Sequence, residues 1–182
     1  MDIVARAKGL LLAPMNEWRI IAGEGIDTTR VFTGYVMILA AIPTLAALLG
    51  GLLFGVRTVG FGTLLVSAVI GYVLALVSVL VLAKIVEFLA PKFGAPNDPA
   101  AALKLAAFAP TASWVAGGAL IIPVLGPIIA LAGAIYSLYT FYIGAPTVAR
   151  VPMDRMIGFA ASVIGLAILV NIVIGLILTL FI

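Results

Sequence analysis

Few side chains in this 182-residue chain can do chemistry, because only 9% are charged and neither cysteine nor histidine occurs. The ones that stand out are polar groups set inside or beside long apolar runs. Lys84 and Glu87 fall near the end of the run 61–89, three residues apart and so on one face of a helix. Lys92 and Arg155 lie in the links that follow two of the runs, and Asn171 sits near the middle of the last one. Such groups are costly within a bilayer and mark function where they occur. Lys84, Glu87, Lys92 and Arg155 are therefore candidates for lipid-headgroup or ion contact. A plainer reading of Lys84 and Glu87 is an ion pair at the membrane interface, with the lysine reaching towards headgroups. Asn171 is a candidate for an interhelical hydrogen bond, worth roughly 0.6–2 kcal/mol, or for contact with a substrate.

The missing residue types exclude whole classes of chemistry. Without Cys or His there are no disulfides, thiolate nucleophiles, Cys/His zinc sites, histidine-ligated haem or Ser-His-Asp triads. The apolar runs hold no phosphate loop and no paired carboxylates. No catalytic, cofactor-binding or metal-binding residue is assigned, and an enzyme is not expected. The basic residues sit at the ends of apolar runs rather than in a patch, so nucleic acid is not expected as a partner.

The elements that must position these groups follow from composition. With 65% hydrophobic residues, and charge far below the quarter or so typical of soluble domains, the chain reads as an integral membrane protein. Residues 1–27 form an amphipathic segment. Ile3, Val4, Ala7, Leu10 and Leu11 share a helical face flanked by Arg6 and Lys8, which suits a helix lying in the membrane surface with Trp18 at headgroup level. Residues 28–182 form an all-α bundle of five transmembrane helices, near 31–54, 61–89, 101–121, 124–143 and 156–181. Asp27 and Asp98 stand where helix N-caps belong, the latter followed by Pro99 at the first helical position.

The longest uncharged stretch, between Lys104 and Arg150, is too long for one crossing and about right for two. Pro123 and Pro127 mark its turn, and Thr111, Ser113 and Trp114 can satisfy backbone groups freed by Pro110. Gly126, Ala130 and Ala134 share one narrow face and Gly133 and Ser137 another, which favours close helix packing. Tyr136, Tyr139 and Tyr142 cluster where an interfacial aromatic belt is expected. With five crossings, nine of the ten Lys and Arg fall on the N-terminal side and only Arg57 on the other. The positive-inside rule then makes the N-terminus cytoplasmic and leaves the C-terminus outside.

Several of these stretches carry a family resemblance. The run Ala102-Leu103-Lys104-Leu105-Ala106-Ala107-Phe108-Ala109-Pro110 is followed by Ile122-Pro123-x-x-Gly126, Ile135-Tyr136-Ser137-Leu138-Tyr139 and Gly144, with Pro14, Trp18 and Ile21 ahead of them. Together they resemble the core of the Yip family, multi-span membrane proteins named in eukaryotes for interaction with Ypt/Rab GTPases. The resemblance implies a five-span domain with a cytoplasmic N-terminus. The longer soluble N-terminal region of the eukaryotic members and their Asp-Leu-Tyr-Gly-Pro type motif do not appear. The chain thus resembles the short bacterial branch, which implies the bacterial cytoplasmic (inner) membrane and no Rab GTPase partner. The resemblance transfers no binding residue.

Three functions fit these observations. The first is a non-enzymatic organiser or adaptor of lipid or protein assemblies, with membrane lipids, a second copy of the chain or another membrane protein as partners. The second is a small oligomeric channel or transporter, to which the broken backbone at Pro110 and Pro123 is suited. The third is a lipid-binding or bilayer-shaping protein, which a basic inner face and an amphipathic segment allow.

Overall fold

The computed structural model describes residues 2–25, 27–55 and 60–179, and these form helices with no strand among them. Two short helices come first, α1 (Ile3–Leu12) and α2 (Pro14–Gly23). Asp2 caps α1 by accepting from the Val4 and Ala5 N–H groups. Pro14 takes the first position of α2, where its missing N–H does no harm. The long helices follow: α3 (Thr28–Phe54), capped by Asp27, and α4 (Phe61–Leu89). Then come α5 (Pro99–Phe108), capped by Asp98, α6 (Thr111–Gly117), α7 (Leu125–Gly144) and α8 (Met156–Thr179). Arg57 and residues 180–182 lie outside the described residues.

Among the described residues, four helical stretches are long and apolar enough to cross a membrane: Thr28–Phe54, Phe61–Phe93, Leu125–Ala149 and Met153–Val173. The stretch expected as a single crossing at 101–121 is instead built in pieces. Helix α5 stops at Phe108, a turn holds Ala109 and Pro110, α6 runs to Gly117, and a 3-10 turn covers Gly118–Ile121. Pro110 is the cause, since it has no N–H to give and its ring crowds the preceding turn. The carbonyls released there are recovered by hydroxyls. Thr111 Oγ1 donates to the Phe108 carbonyl at 2.6 Å, and Thr140 Oγ1 of α7 donates to the Ala109 carbonyl at 2.9 Å. The Ser113 N–H donates to Ser137 Oγ at 2.9 Å. Tyr35 Oη lies 2.8 Å from Thr111 Oγ1, and because the threonine proton is already used, Tyr35 is the donor.

The reversal into α7 is as tight as the prolines imply. The Leu125 N–H donates to the Pro123 carbonyl across Val124, whose φ of 70° and ψ of −56° define a γ-turn of the rare, strained hand. Beyond it α7 lies flush on the broken segment. A Cβ on Gly126 would strike the backbone at Ala119 and Leu120, and one on Gly133 would strike Ala116 and the Ala112 carbonyl. Helix α3 packs on α6, where Gly117 abuts the Pro43 ring, and α8 packs on α4.

The N-terminal segment, expected as an amphipathic membrane-surface segment, packs its apolar face on the bundle. It folds as a helical hairpin whose inner face is buried, with Leu10, Trp18 and Ile21 in the bundle core. Trp18, expected at headgroup level, is fully buried against Gly144 of α7. Tyr136, expected in an aromatic belt, donates instead to the Leu11 carbonyl at 2.8 Å.

The close approach of α7 leads to a stability prediction. Gly133→Ala is expected to destabilise the fold by about 1–3 kcal/mol through overpacking. Gly71→Ala, in open space on α4, should be neutral or gain about 0.5–1 kcal/mol of helix propensity. Thermal unfolding of both variants in detergent checks the contrast.

Candidate functional site

Two features bring polar groups together inside the bundle. The first is an ionic cluster that seats the N-terminal hairpin. Arg6, on the buried face of α1, donates from Nη1 to Glu17 at 2.6 Å and from Nη2 to both oxygens of Glu24 at 2.6 Å. Its guanidinium carbon stands 5.7 Å from the centre of the Phe108 ring, within cation–π range. Gly9 makes room for the Glu17 carboxylate, since a Cβ there would occupy the same space. Lys104 of α5 joins from below, donating to the carbonyls of Ile21 at 3.1 Å and Glu24 at 2.6 Å. It thus closes the C-terminal end of α2 with a cation, where the helix dipole favours one. Arg6 is 7% exposed, Glu17 15% and Glu24 38%, so the pairing is sheltered at one end and open to solvent at the other.

The second feature is a cleft of about 610 Å3 beside the Pro110 break. Its inner wall comes from Pro110, Ser113 and Ser137, and its outer wall from Val163, Ala167 and Asn171 of α8. Leu138, Ile168 and Ile172 also line it and are exposed, so the cleft opens sideways on the apolar flank of the bundle. Among the described residues, no titratable side chain lines it.

The residues singled out in the sequence divide between these surroundings and the loop end of the bundle. Asn171 lies in the cleft wall. Its amide nitrogen donates to the Ala167 carbonyl at 2.8 Å, and its oxygen accepts a long hydrogen bond of 3.5 Å from Ser78 of α4. Lys84 and Glu87 form an ion pair at 2.7 Å, with the lysine 76% exposed. An exposed pair of this kind contributes about 0–1 kcal/mol. Lys92 sits 3.8 Å over the Phe88 ring, so Lys84, Phe88 and Lys92 make one stripe down the end of α4. Arg155 reaches across to the backbone at Gly94, beside that stripe, and pairs loosely with Asp154 at 3.8 Å. Asn171 stands apart from these four.

Asp98, in the loop before α5, is held below its ordinary carboxyl value. The Ala101 N–H is the main cause, burial opposes it, and Arg150, 2.9 Å away, adds to the lowering. The sign follows from the depressed value. The contribution of this cap is complete above the unfolded value of about 4 and is lost only as pH falls through the lower folded value.

Arg6, Glu17, Glu24 and Lys104 were not among the sequence candidates. From its position, Arg6 reads as a flank of the apolar face of a surface helix. The available signal was Gly9, whose missing side chain clears the space for Glu17 across the Pro14 turn.

A helical bundle with four apolar stretches of membrane-crossing length and its charges at the ends or paired defines the class, a multi-span integral membrane protein. The comparisons carry this further. The Yip1 domain model matches residues 8–175, and the chain belongs to the Yip1 family. It is 26% identical over 172 residues to the inner membrane protein YohC of Escherichia coli K12, covering 89% of this chain and 88% of that protein. YohC of Escherichia coli O6:H1 matches to the same extent. No solved structure matches the chain.

The ionic cluster predicts a specific pattern of stability. Arg6→Met leaves two carboxylates facing each other without their cation and is expected to cost about 3–5 kcal/mol. Adding Glu17→Leu should recover most of that loss, because Glu24 can turn to solvent. Denaturation of the single and double variants, compared with the unaltered chain, checks it.

Proposed function

We propose that this protein is a non-enzymatic component of the bacterial inner membrane that crosses the bilayer five times, N-terminus cytoplasmic, and organises membrane lipid in the cleft beside Pro110. The fifth crossing is the broken segment from Pro99 to Ile121. Its 23 residues span roughly 35 Å at helical rise, against about 30 Å of hydrocarbon. The segment packs among α3, α4 and α7, which themselves have crossing length. An odd number of crossings supports the cytoplasmic N-terminus through the nine-to-one division of basic residues. The inner membrane placement draws on the name of the Escherichia coli relatives.

The observation that carries the lipid reading is the character of the cleft. It is large, apolar and open on the flank that faces hydrocarbon, and Ser113, Ser137 and Asn171 are its polar points. An acyl chain fits such a surface, and the hydroxyls and amide can meet an ester group. A coupled transporter would need an ionisable group at that position, and the lining has none. Lys84, Lys92 and Arg155, at the loop end, are placed to meet anionic headgroups, and Glu87 restrains Lys84. Partners of this role are membrane lipids together with a second copy of the chain or another membrane protein, and a Rab GTPase is not among them.

Native mass spectrometry of protein extracted gently from the inner membrane tests the reading. Bound phospholipid should be retained. Ala134→Leu with Ala167→Leu, which fills the cleft from both walls, should lower retention at least several-fold while leaving the melting temperature within a few degrees. Unchanged retention in the filled variant would count against lipid in the cleft.

A further inference from the structure

The N-terminal hairpin reaches a depth that a surface helix cannot. The Leu11 carbonyl, near the end of α1, accepts from Tyr136 Oη at 2.8 Å. Tyr136 is eleven residues from the first and thirteen from the last residue of the apolar stretch Leu125–Ala149, close to its midpoint. Helix α1 also packs on α6, beyond the Pro110 break. Trp18 of α2 lies against Gly144, roughly 12 Å further along α7 at helical rise. The hairpin therefore stands beside α7. Its turn at Ala13 and Pro14 points to the middle of the bundle, and its open end, with Glu24, meets Lys104.

The tip is apolar and bare. Leu12 is 83% exposed and Met15 59%, while the face behind them is packed. The charged residues on the outer surface, Lys8 and Arg19, each lie five residues from the turn, about 7 Å lower, with stems long enough to reach headgroups. Asn16 is the exposed polar group at the tip, and it is uncharged. The charges that do lie on the inner face, Arg6 and Glu17, are paired.

We propose that residues 3–23 form a re-entrant helical hairpin inserted in the leaflet on the N-terminal side, with Leu12 and Met15 against phospholipid acyl chains near the bilayer centre. The Arg6 cluster locks it at that depth. One leaflet then carries two helices that the other lacks, so the protein is wedge-shaped across the membrane and spreads that leaflet. The wedge rests on the placement of the bundle in the bilayer proposed above and adds to it the depth of the hairpin, and separate labels distinguish the two.

The chain has no cysteine, so single-cysteine variants carry a nitroxide label without background. Leu12→Cys and Met15→Cys, both at exposed positions, are reconstituted into phosphatidylethanolamine–phosphatidylglycerol vesicles and examined by power-saturation EPR. Leu138→Cys on the exposed side of α7 and Lys92→Cys in the exposed 3-10 turn after α4 provide the membrane-interior and headgroup-level references. Labels at 12 and 15 should match the label at 138, open to oxygen and closed to a nickel chelate. Nickel access at 12 and 15 equal to that at 92, with 138 still shielded, would overturn the wedge and leave the bundle placement standing. Nickel access at 138 as well would overturn both. Adding Arg6→Met to the Leu12→Cys variant should raise nickel access several-fold, and no change would overturn the ionic lock.

Discussion

Backbone hydrogen bonding without water is the constraint on which this structure depends. Within hydrocarbon each unpaired carbonyl or amide costs several kcal/mol, so a proline in a helix of a membrane protein's core must be compensated locally. Pro110 breaks the segment between α5 and α6, and four hydroxyls gather around it. Tyr35 comes from α3, Thr111 from the break itself, and Ser137 and Thr140 from α7. The same contacts fix the positions of three helices relative to one another. Small residues make this geometry possible, because Gly126 and Gly133 let α7 come close enough for its hydroxyls to reach the broken backbone.

The second constraint is charge. Arg6, Glu17, Glu24 and Lys104 contribute two cations and two anions within one contact group, so the charges cancel where they are sheltered. A buried ion pair is weak evidence for added stability, since its desolvation offsets much of the attraction. Its value here is placement. The guanidinium fork accepts one register of α1 on α2, with Glu17 on one side and Glu24 on the other, while Trp18 in its slot at Gly144 and Lys104 at the Glu24 carbonyl set the hairpin against the bundle. Phe108, under the guanidinium, ties that register to α5 and hence to the Pro110 break.

Much of the architecture was legible because membrane helices are written in long apolar runs. The helix expected at 61–89 is α4, residue for residue, and the run expected at 124–143 is α7 within one residue. The caps at Asp27 and Asp98 and the pair Lys84–Glu87 were legible because they depend only on local spacing. Thr111 was legible as a partner for backbone freed by Pro110 for the same reason, whereas at Ser113 the backbone N–H is itself the group that is met, by Ser137. The N-terminal hairpin was not. Periodicity shows that a helix has an apolar face but not what covers it, and a bundle covers such a face as well as a membrane surface does. A tryptophan before a long apolar helix reads as an interfacial anchor, and the slot that Gly144 opens for Trp18 is not visible in the spacing.

The break and the cleft have one origin. A continuous helix from Pro99 to Ile121 would present a full turn of side chains to α8. The turn at Ala109 and Pro110 removes part of that surface, and the small residues Ser113, Ala134 and Ser137 do not refill it. What remains is a recess whose backbone is already satisfied by hydroxyls from the other side, so it can stay apolar without leaving carbonyls bare. Asn171 completes the wall with its amide half engaged by its own helix and its oxygen only loosely held by Ser78. A group held that loosely in a low-dielectric setting retains hydrogen-bonding capacity for a ligand. This makes the cleft a stronger candidate for function than the exposed Lys84–Glu87 pair, although the sequence drew attention to the pair first.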